Sequence, residues 1–379
     1  MPSCLPTYSF EKLKKVHILK RIQIKRMKRT CLQIHLMEAH IMAYLNEIWF
    51  ILVAVLFVGF FFLEGFDFGV GMSMQLLGKD AHERRILINT IGPFWDANEV
   101  WLITAGGAIF AAFPHWYATM FSGYYIPFTV LLLALIGRGV AFEFRGKVEK
   151  ASWIKTWDWV IFFGSLLPPF LLGVLFTSIL RGMPIDQSMN MYAGFTDFVN
   201  LYSVIGGVAV TVLCLLHGLI FVTLRTEGDL RNRARKLGQR VLLIALPVLV
   251  LFVGVSILET DIYTVRPIIT IPLTVLIVVC YVAALFFMRK ERDGWTFLFT
   301  GAGIMVTVTM LFTALFPRVM ISSINHAFDL TIQNAASGSY SLTVMTIVAI
   351  SLLPFVLGYQ IWSYYVFRKR VSGKEPMTY

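Results

Sequence analysis

Apolar residues in this chain come in long, nearly unbroken runs. They do not follow the alternation of a half-buried strand or the three-to-four spacing of a soluble amphipathic helix. Nine runs approach or exceed the about 20 apolar residues that cross a hydrocarbon core. They lie at roughly 48–68, 97–114, 118–142, 157–180, 198–224, 240–258, 267–288, 295–316 and 341–367. In lipid no water satisfies the backbone, so each run must bond within itself and is read as a helix. Only Phe113–Pro114–His115 separates the second run from the third, which makes these two a tight hairpin. The pattern predicts an all-α integral membrane protein with nine transmembrane helices. We expect two four-helix bundles plus one peripheral helix.

The polar loops give an orientation. Lys79, Arg84 and Arg85 follow the first run, and no Lys or Arg follows the second. Arg145, Lys147, Lys150 and Lys155 follow the third, and only Arg181 follows the fourth. Arg225, Arg231, Arg233, Arg235, Lys236 and Arg240 cluster after the fifth, and only Arg266 after the sixth. Arg289, Lys290 and Arg292 follow the seventh, only Arg318 the eighth, and Arg368, Lys369, Arg370 and Lys374 close the chain. By the positive-inside rule the C-terminus is cytoplasmic and, with nine spans, the N-terminus is outside. Residues 1–41 break this rule, since Lys14, Lys15, Lys20, Arg21, Lys25, Arg26, Lys28 and Arg29 would then lie outside. They also lack the apolar core of a signal peptide. This basic N-terminal extension is read as an over-called start ahead of Met42, or as a disordered arm that binds anionic headgroups. Residues 42–379 are read as one transmembrane domain.

Composition agrees. The 379 residues are 57% hydrophobic and 15% charged, where a soluble domain has roughly 25% charged residues. Mean hydropathy is +0.72. No polar stretch is long enough to bury a core of its own, so no extramembrane domain is expected. The net charge of +11 sits in topogenic loops and does not point to nucleic acid. Cys4, Cys31, Cys214 and Cys280 form no CxxC pair. They are read as reduced packing thiols, with neither a disulfide framework nor a metal site.

Ionisable residues inside membrane helices are costly and mark functional sites by default. Glu64 and Asp67 lie near the inner end of the first span at i,i+3, on one helix face. Asp96 and Glu99 repeat that spacing in the first turn of the second span, where the helix dipole favours negative charge. Arg138 and Glu143 end the third span, and the fifth brings His217 to a similar depth. One reading is a proton-uptake route from the cytoplasm through Glu64, Asp67, Asp96, Glu99, Glu143 and His217. The other is a set of caps and ion pairs, with Asp96 capping the second span and Arg138 paired to Glu143 or Glu64. His115 and His326, on the outer side, lack ligand-spaced partners and are read as structural. A secondary transporter or channel with a buried acidic site would share all these features.

Three blocks narrow the choice: Glu64–Gly65–Phe66–Asp67–Phe68–Gly69–Val70–Gly71, Gly92–Pro93–Phe94–Trp95–Asp96–Ala97–Asn98–Glu99–Val100–Trp101, and Thr104–Ala105–Gly106–Gly107–Ala108. With Gly137–Arg138–Gly139–Val140–Ala141–Phe142–Glu143 and Phe316–Pro317–Arg318, they resemble subunit II of cytochrome bd quinol oxidases, in the form found in Gram-positive bacteria. The resemblance runs from about Leu45 to Tyr379 and includes nothing before Met42. It implies a multi-pass subunit of the bacterial cell membrane, in an enzyme that oxidises quinol and reduces oxygen during terminal aerobic respiration. It implies a heterodimer with subunit I, in some relatives joined by a small single-span subunit. Subunit I would carry haem b558 and supply the axial ligands; haem b595 and haem d would lie at or near the interface. This chain would then hold no catalytic or metal-ligating residue. The resemblance assigns Asp67 and Asp96 to the proton route and Trp101 to oxygen access. Trp95, Asn98 and Arg138 are candidate contacts to subunit I or a haem propionate. Gly106 and Gly107 are expected to let a neighbouring helix approach Trp101 closely.

Overall fold

The computed structural model describes residues 10–371, with side chains described from Tyr44 onward. The helices in chain order are α1 (Phe10–Leu77), α2 (Ala81–Ile91), α3 (Trp95–Ala112), α4 (Pro114–Gly123), α5 (Tyr125–Phe144), α6 (Ala151–Arg181) and the single turn α7 (Phe195–Phe198). Then come α8 (Leu201–Arg225), α9 (Gly228–Glu259), the single turn α10 (Ile262–Val265), α11 (Pro267–Arg289), α12 (Asp293–Leu315) and α13 (Ser339–Val366). A small antiparallel pair, β1 (Arg318–Met320) and β2 (Leu330–Thr331), sits between α12 and α13. The basic extension at 1–41 falls outside the residues whose side chains are described, as do Cys4 and Cys31.

Among the described residues, eight helices are long and apolar enough to cross a membrane: the Tyr44–Leu77 stretch of α1, then α5, α6, α8, α9, α11, α12 and α13. The ninth expected span, α3, has only 18 residues. Its first turns hold Asp96, Asn98 and Glu99, and these polar positions separate it from the other eight. The third expected span is interrupted: α4 ends at Gly123 and α5 begins at Tyr125.

Helices α1, α3, α5 and α6 pack as one group of four, and α8, α9, α11 and α12 as a second. The groups meet where α1 and α6 lie against α8 and α12. The α1–α8 seam is very close: a Cβ on Gly69 would lie 2.7 Å from the Gly218 Cα, so backbone meets backbone there. Aromatic rings fill the junction, with Phe50 and Phe57 of α1 against Phe312 of α12 at 5.7 and 5.6 Å. The last helix, α13, lies outside both groups, and Leu342 is its one buried residue among those described. It is the peripheral helix.

Ion pairs tie the basic loops into one end of the molecule. Lys79 meets Asp229 at 3.2 Å, Arg233 meets Glu83 at 2.5 Å, and Arg231 and Arg235 both grip Asp293 at 2.6 and 3.0 Å. The wholly buried Asp158 is held by Arg145 at 2.6 Å and Arg84 at 3.1 Å. The loops after α1, α5, α8 and α11 therefore share one face, as the alternating charge requires. The opposite end carries Arg318 on Asp261 at 2.6 Å and Arg181 on Glu259 at 2.9 Å. There the backbone also joins Met183 to Ile321.

Candidate functional site

The site grows from the seam between α1, α3 and α5, one turn or two from the basic end. Glu64 and Asp67 are both wholly buried, as the i,i+3 spacing on a packed helix face requires. Arg138 of α5, also wholly buried, forms an ion pair with Glu64. Its Nη2 lies 3.4 Å from Glu99 on α3. The guanidinium is sandwiched over the rings of Phe68 at 4.6 Å and Phe142 at 5.8 Å, so its flat faces meet aromatic surface. Asp67 Oδ2 accepts from Asn98 Nδ2 at 2.7 Å.

The Asn98 carbonyl is held from the far end of the chain. Its Oδ1 accepts from Tyr364 Oη at 2.8 Å and from Gln360 Nε2 at 3.1 Å, both on α13. Tyr364 stacks on Phe94 at 4.3 Å with nearly parallel planes, and the Arg225 guanidinium lies 5.6 Å from the centre of the Phe94 ring. Three carboxylates, one guanidinium, two amides and one phenol are thus brought together. The three acids outnumber the single base, so the charge of the cluster depends on how many protons it holds. Glu64 Oε2, Asp67 Oδ1 and Arg138 Nε and Nη1 have no hydrogen-bond partner among the described residues.

Not every expected residue joins this cluster. Asp96 is exposed, and so is Glu143. The i,i+3 relation of Asp96 to Glu99 holds along the helix, but only Glu99 turns toward Arg138. Nor does Asp96 cap its helix: the N-cap of α3 is Phe94, with no side-chain cap bond. His217 is wholly buried but stands apart, with its Nδ1 at 3.0 Å from Thr300 Oγ1. Its ring stacks on Phe297 at 4.5 Å, with Phe62 and Phe66 also against it. Trp95 packs on Phe142 at 5.1 Å and so backs the Arg138 pocket. Cys214 and Cys280 are buried free thiols.

Beside the cluster lies a cavity of about 650 Å³, lined mainly by apolar side chains of α3, α4, α5, α6 and α12. Glu99 is on its wall and also faces Arg138, so it joins the two spaces. Gly106 and Gly107 line this cavity and have no neighbour where a Cβ would stand. The close approach to Trp101 comes from elsewhere: its indole lies where a Cβ on Gly59 of α1 would be.

A family model described as cytochrome bd terminal oxidase subunit II matches residues 45–367. The chain belongs to the cytochrome bd terminal oxidase subunit II family. It is 66% identical over 338 residues to a Bacillus subtilis protein named cytochrome bd ubiquinol oxidase subunit 2, with 89% of this chain and 100% of that protein covered. It is 35% identical over 367 residues to the cytochrome bd-I ubiquinol oxidase subunit 2 of Escherichia coli K12, covering 87% and 96%. A chain in the structure of bd oxidase from Geobacillus thermodenitrificans superposes with a TM-score of 0.69, covering 86% of this chain and 100% of that one. That chain is 17% identical, so it speaks to the fold alone. This oxidase subunit is thus part of a membrane-bound, haem-containing oxidoreductase complex with a partner subunit I. Within it, Gln360 and Tyr364 are the site residues that motif reading passed over. Their signal was present: a glutamine inside an apolar span is costly unless it has a partner.

Proposed function

We propose that this subunit packs on a haem-bearing subunit I in the bacterial cell membrane. In this reading it carries protons from the cytoplasmic side toward the haem b595/haem d pair, while the complex oxidises quinol and reduces oxygen. The observation that carries the reading is the buried set Glu64, Asp67 and Arg138, with the half-buried Glu99 beside Arg138 and Asn98 bonded to Asp67. Titratable groups with unfilled hydrogen-bonding capacity, enclosed near the basic end of a membrane bundle, suit relay better than bracing. The basic end is taken as cytoplasmic, which puts the C-terminus inside.

The route narrows to Glu64, Asp67 and Glu99. Asp96 and Glu143 are exposed at its edge, on the side from which protons would enter. His217, enclosed by Phe62, Phe66 and Phe297, is a separate packing group. Trp101 is assigned to oxygen access and Trp95 to backing the Arg138 pocket. No histidine lines the 650 Å³ cavity, and the family match supports a separate haem-bearing partner. Axial ligation of haems b558, b595 and d is therefore given to subunit I. The family match across 45–367 favours this reading over a stand-alone transporter. The test is co-expression with a haem-bearing chain, followed by purification on a tag carried by this subunit. The reading expects that chain and a visible haem spectrum to co-purify. A chain that purifies alone and moves an ion in vesicles would overturn it.

A further inference from the structure

Helix α13 is nearly bare of packing, yet it places two polar side chains on one buried atom. Gln360 and Tyr364, four residues apart and so on one face, both donate to Asn98 Oδ1 at 3.1 and 2.8 Å. Fixing the oxygen of an amide also fixes its nitrogen. With Oδ1 turned to α13, Nδ2 must point the other way, where it donates to Asp67 at 2.7 Å. Were the amide reversed, Asn98 Oδ1 would meet the Asp67 carboxylate, acceptor against acceptor, and its Nδ2 would meet the Gln360 amide nitrogen, donor against donor.

We infer that α13 is a positioning element for the proton site, acting through Gln360 and Tyr364 on Asn98 and so on Asp67. This rests on the reading of Asp67 as a proton carrier. Asp67 is also faced by Glu64 on its own helix, Glu99 on α3 and Arg138 on α5. The amide donor from Asn98 is the one contact whose direction α13 controls. Stacking of Tyr364 on Phe94, with Arg225 above that ring and bonded to the Phe367 carbonyl, fixes the end of α13 where the two side chains act. The upper end is tied separately, by Trp49 Nε1 on Thr346 at 3.0 Å.

Tyr364→Phe removes one hydroxyl and keeps the ring on Phe94. Gln360→Glu replaces the amide donor by an acceptor and so favours reversal of Asn98. Both are made in the assembled two-subunit complex, and haem content is checked in each. The readout is the infrared carboxyl stretch that vanishes in Asp67→Asn, recorded beside turnover across pH. The band is expected to shift in both variants, more in Gln360→Glu, with turnover lowered roughly two- to tenfold, the range for one lost hydrogen bond. Combined with Asp67→Asn, neither change should lower turnover further. A band that stays in place in both haem-replete variants overturns the positioning role. If the band shifts while Asp67→Asn itself turns over normally, positioning stands and the relay reading fails.

Discussion

A guanidinium buried among carboxylates is stable only while its partners stay charged and near. Arg138 has Glu64 and Glu99 beside it and aromatic rings on its faces, so it neutralises part of an acid excess that lipid would not tolerate. Arg138→Met removes that charge and keeps much of the volume. Breaking one side of a buried pair typically costs about 3–5 kcal/mol. Haem-replete complex should therefore fall severalfold or more in yield, measured by absorbance per unit of membrane protein. Near-normal yield would mean that the acids do not need the arginine. Trp101 is a different case, since its indole presses on Gly59. Trp101→Ala should raise the oxygen concentration for half-maximal rate while leaving the rate at saturating oxygen nearly intact. Equal loss at all oxygen levels would mark a packing defect instead. The acids of α1 were legible because spacing and face coincide there. Which of Asp96 and Glu99 turns toward Arg138 could not be read, because i,i+3 spacing gives relative direction on a helix, never which direction is inward. Gly106 and Gly107 misled for a like reason: small residues permit close approach, but here they open onto a cavity.

At the scale of elements, the apolar runs and charged loops made most helices readable before any coordinates. Hydrophobic length is a local property, so α5, α6, α8, α9, α11 and α12 could be drawn directly. What could not be read was long-range. Nothing near Asn98 announces that Gln360 and Tyr364, over 260 residues away, will hold its amide. The break between α4 and α5 and the polar start of α3 depend on tertiary partners in the same way. The α1–α8 seam supplies the sharpest test of element packing. Gly218→Val would put a branched side chain into the Gly69 backbone, where no flexible group stands ready to yield. Assembly should fail, read as loss of the subunit I–subunit II band on a native gel. Normal assembly would mean that the helices are not in contact there.

At the scale of the whole molecule, two four-helix groups share one seam, one end is knitted by ion pairs, and one peripheral helix closes on the acid cluster. The matched region begins at residue 45. Expression from Met42 is accordingly expected to give full assembly and oxidase rate, and a large loss of either would assign residues 1–41 a role. The central claim is that protons reach the oxidase through Asp67. The most direct measurement is proton uptake during a single turnover of the vesicle-reconstituted complex, comparing wild type, Asp96→Asn and Asp67→Asn at equal haem content. A positioned acid–base group typically contributes about 10²–10⁴-fold to the step it serves, less where a second route through subunit I shares the load. The account predicts that Asp96→Asn retains more of the wild-type uptake rate than Asp67→Asn. It predicts that Asp67→Asn is at least severalfold slower, with the deficit growing as pH rises and protons become scarce. Proton uptake in Asp67→Asn that matches wild type at every pH, with haem intact, would contradict it.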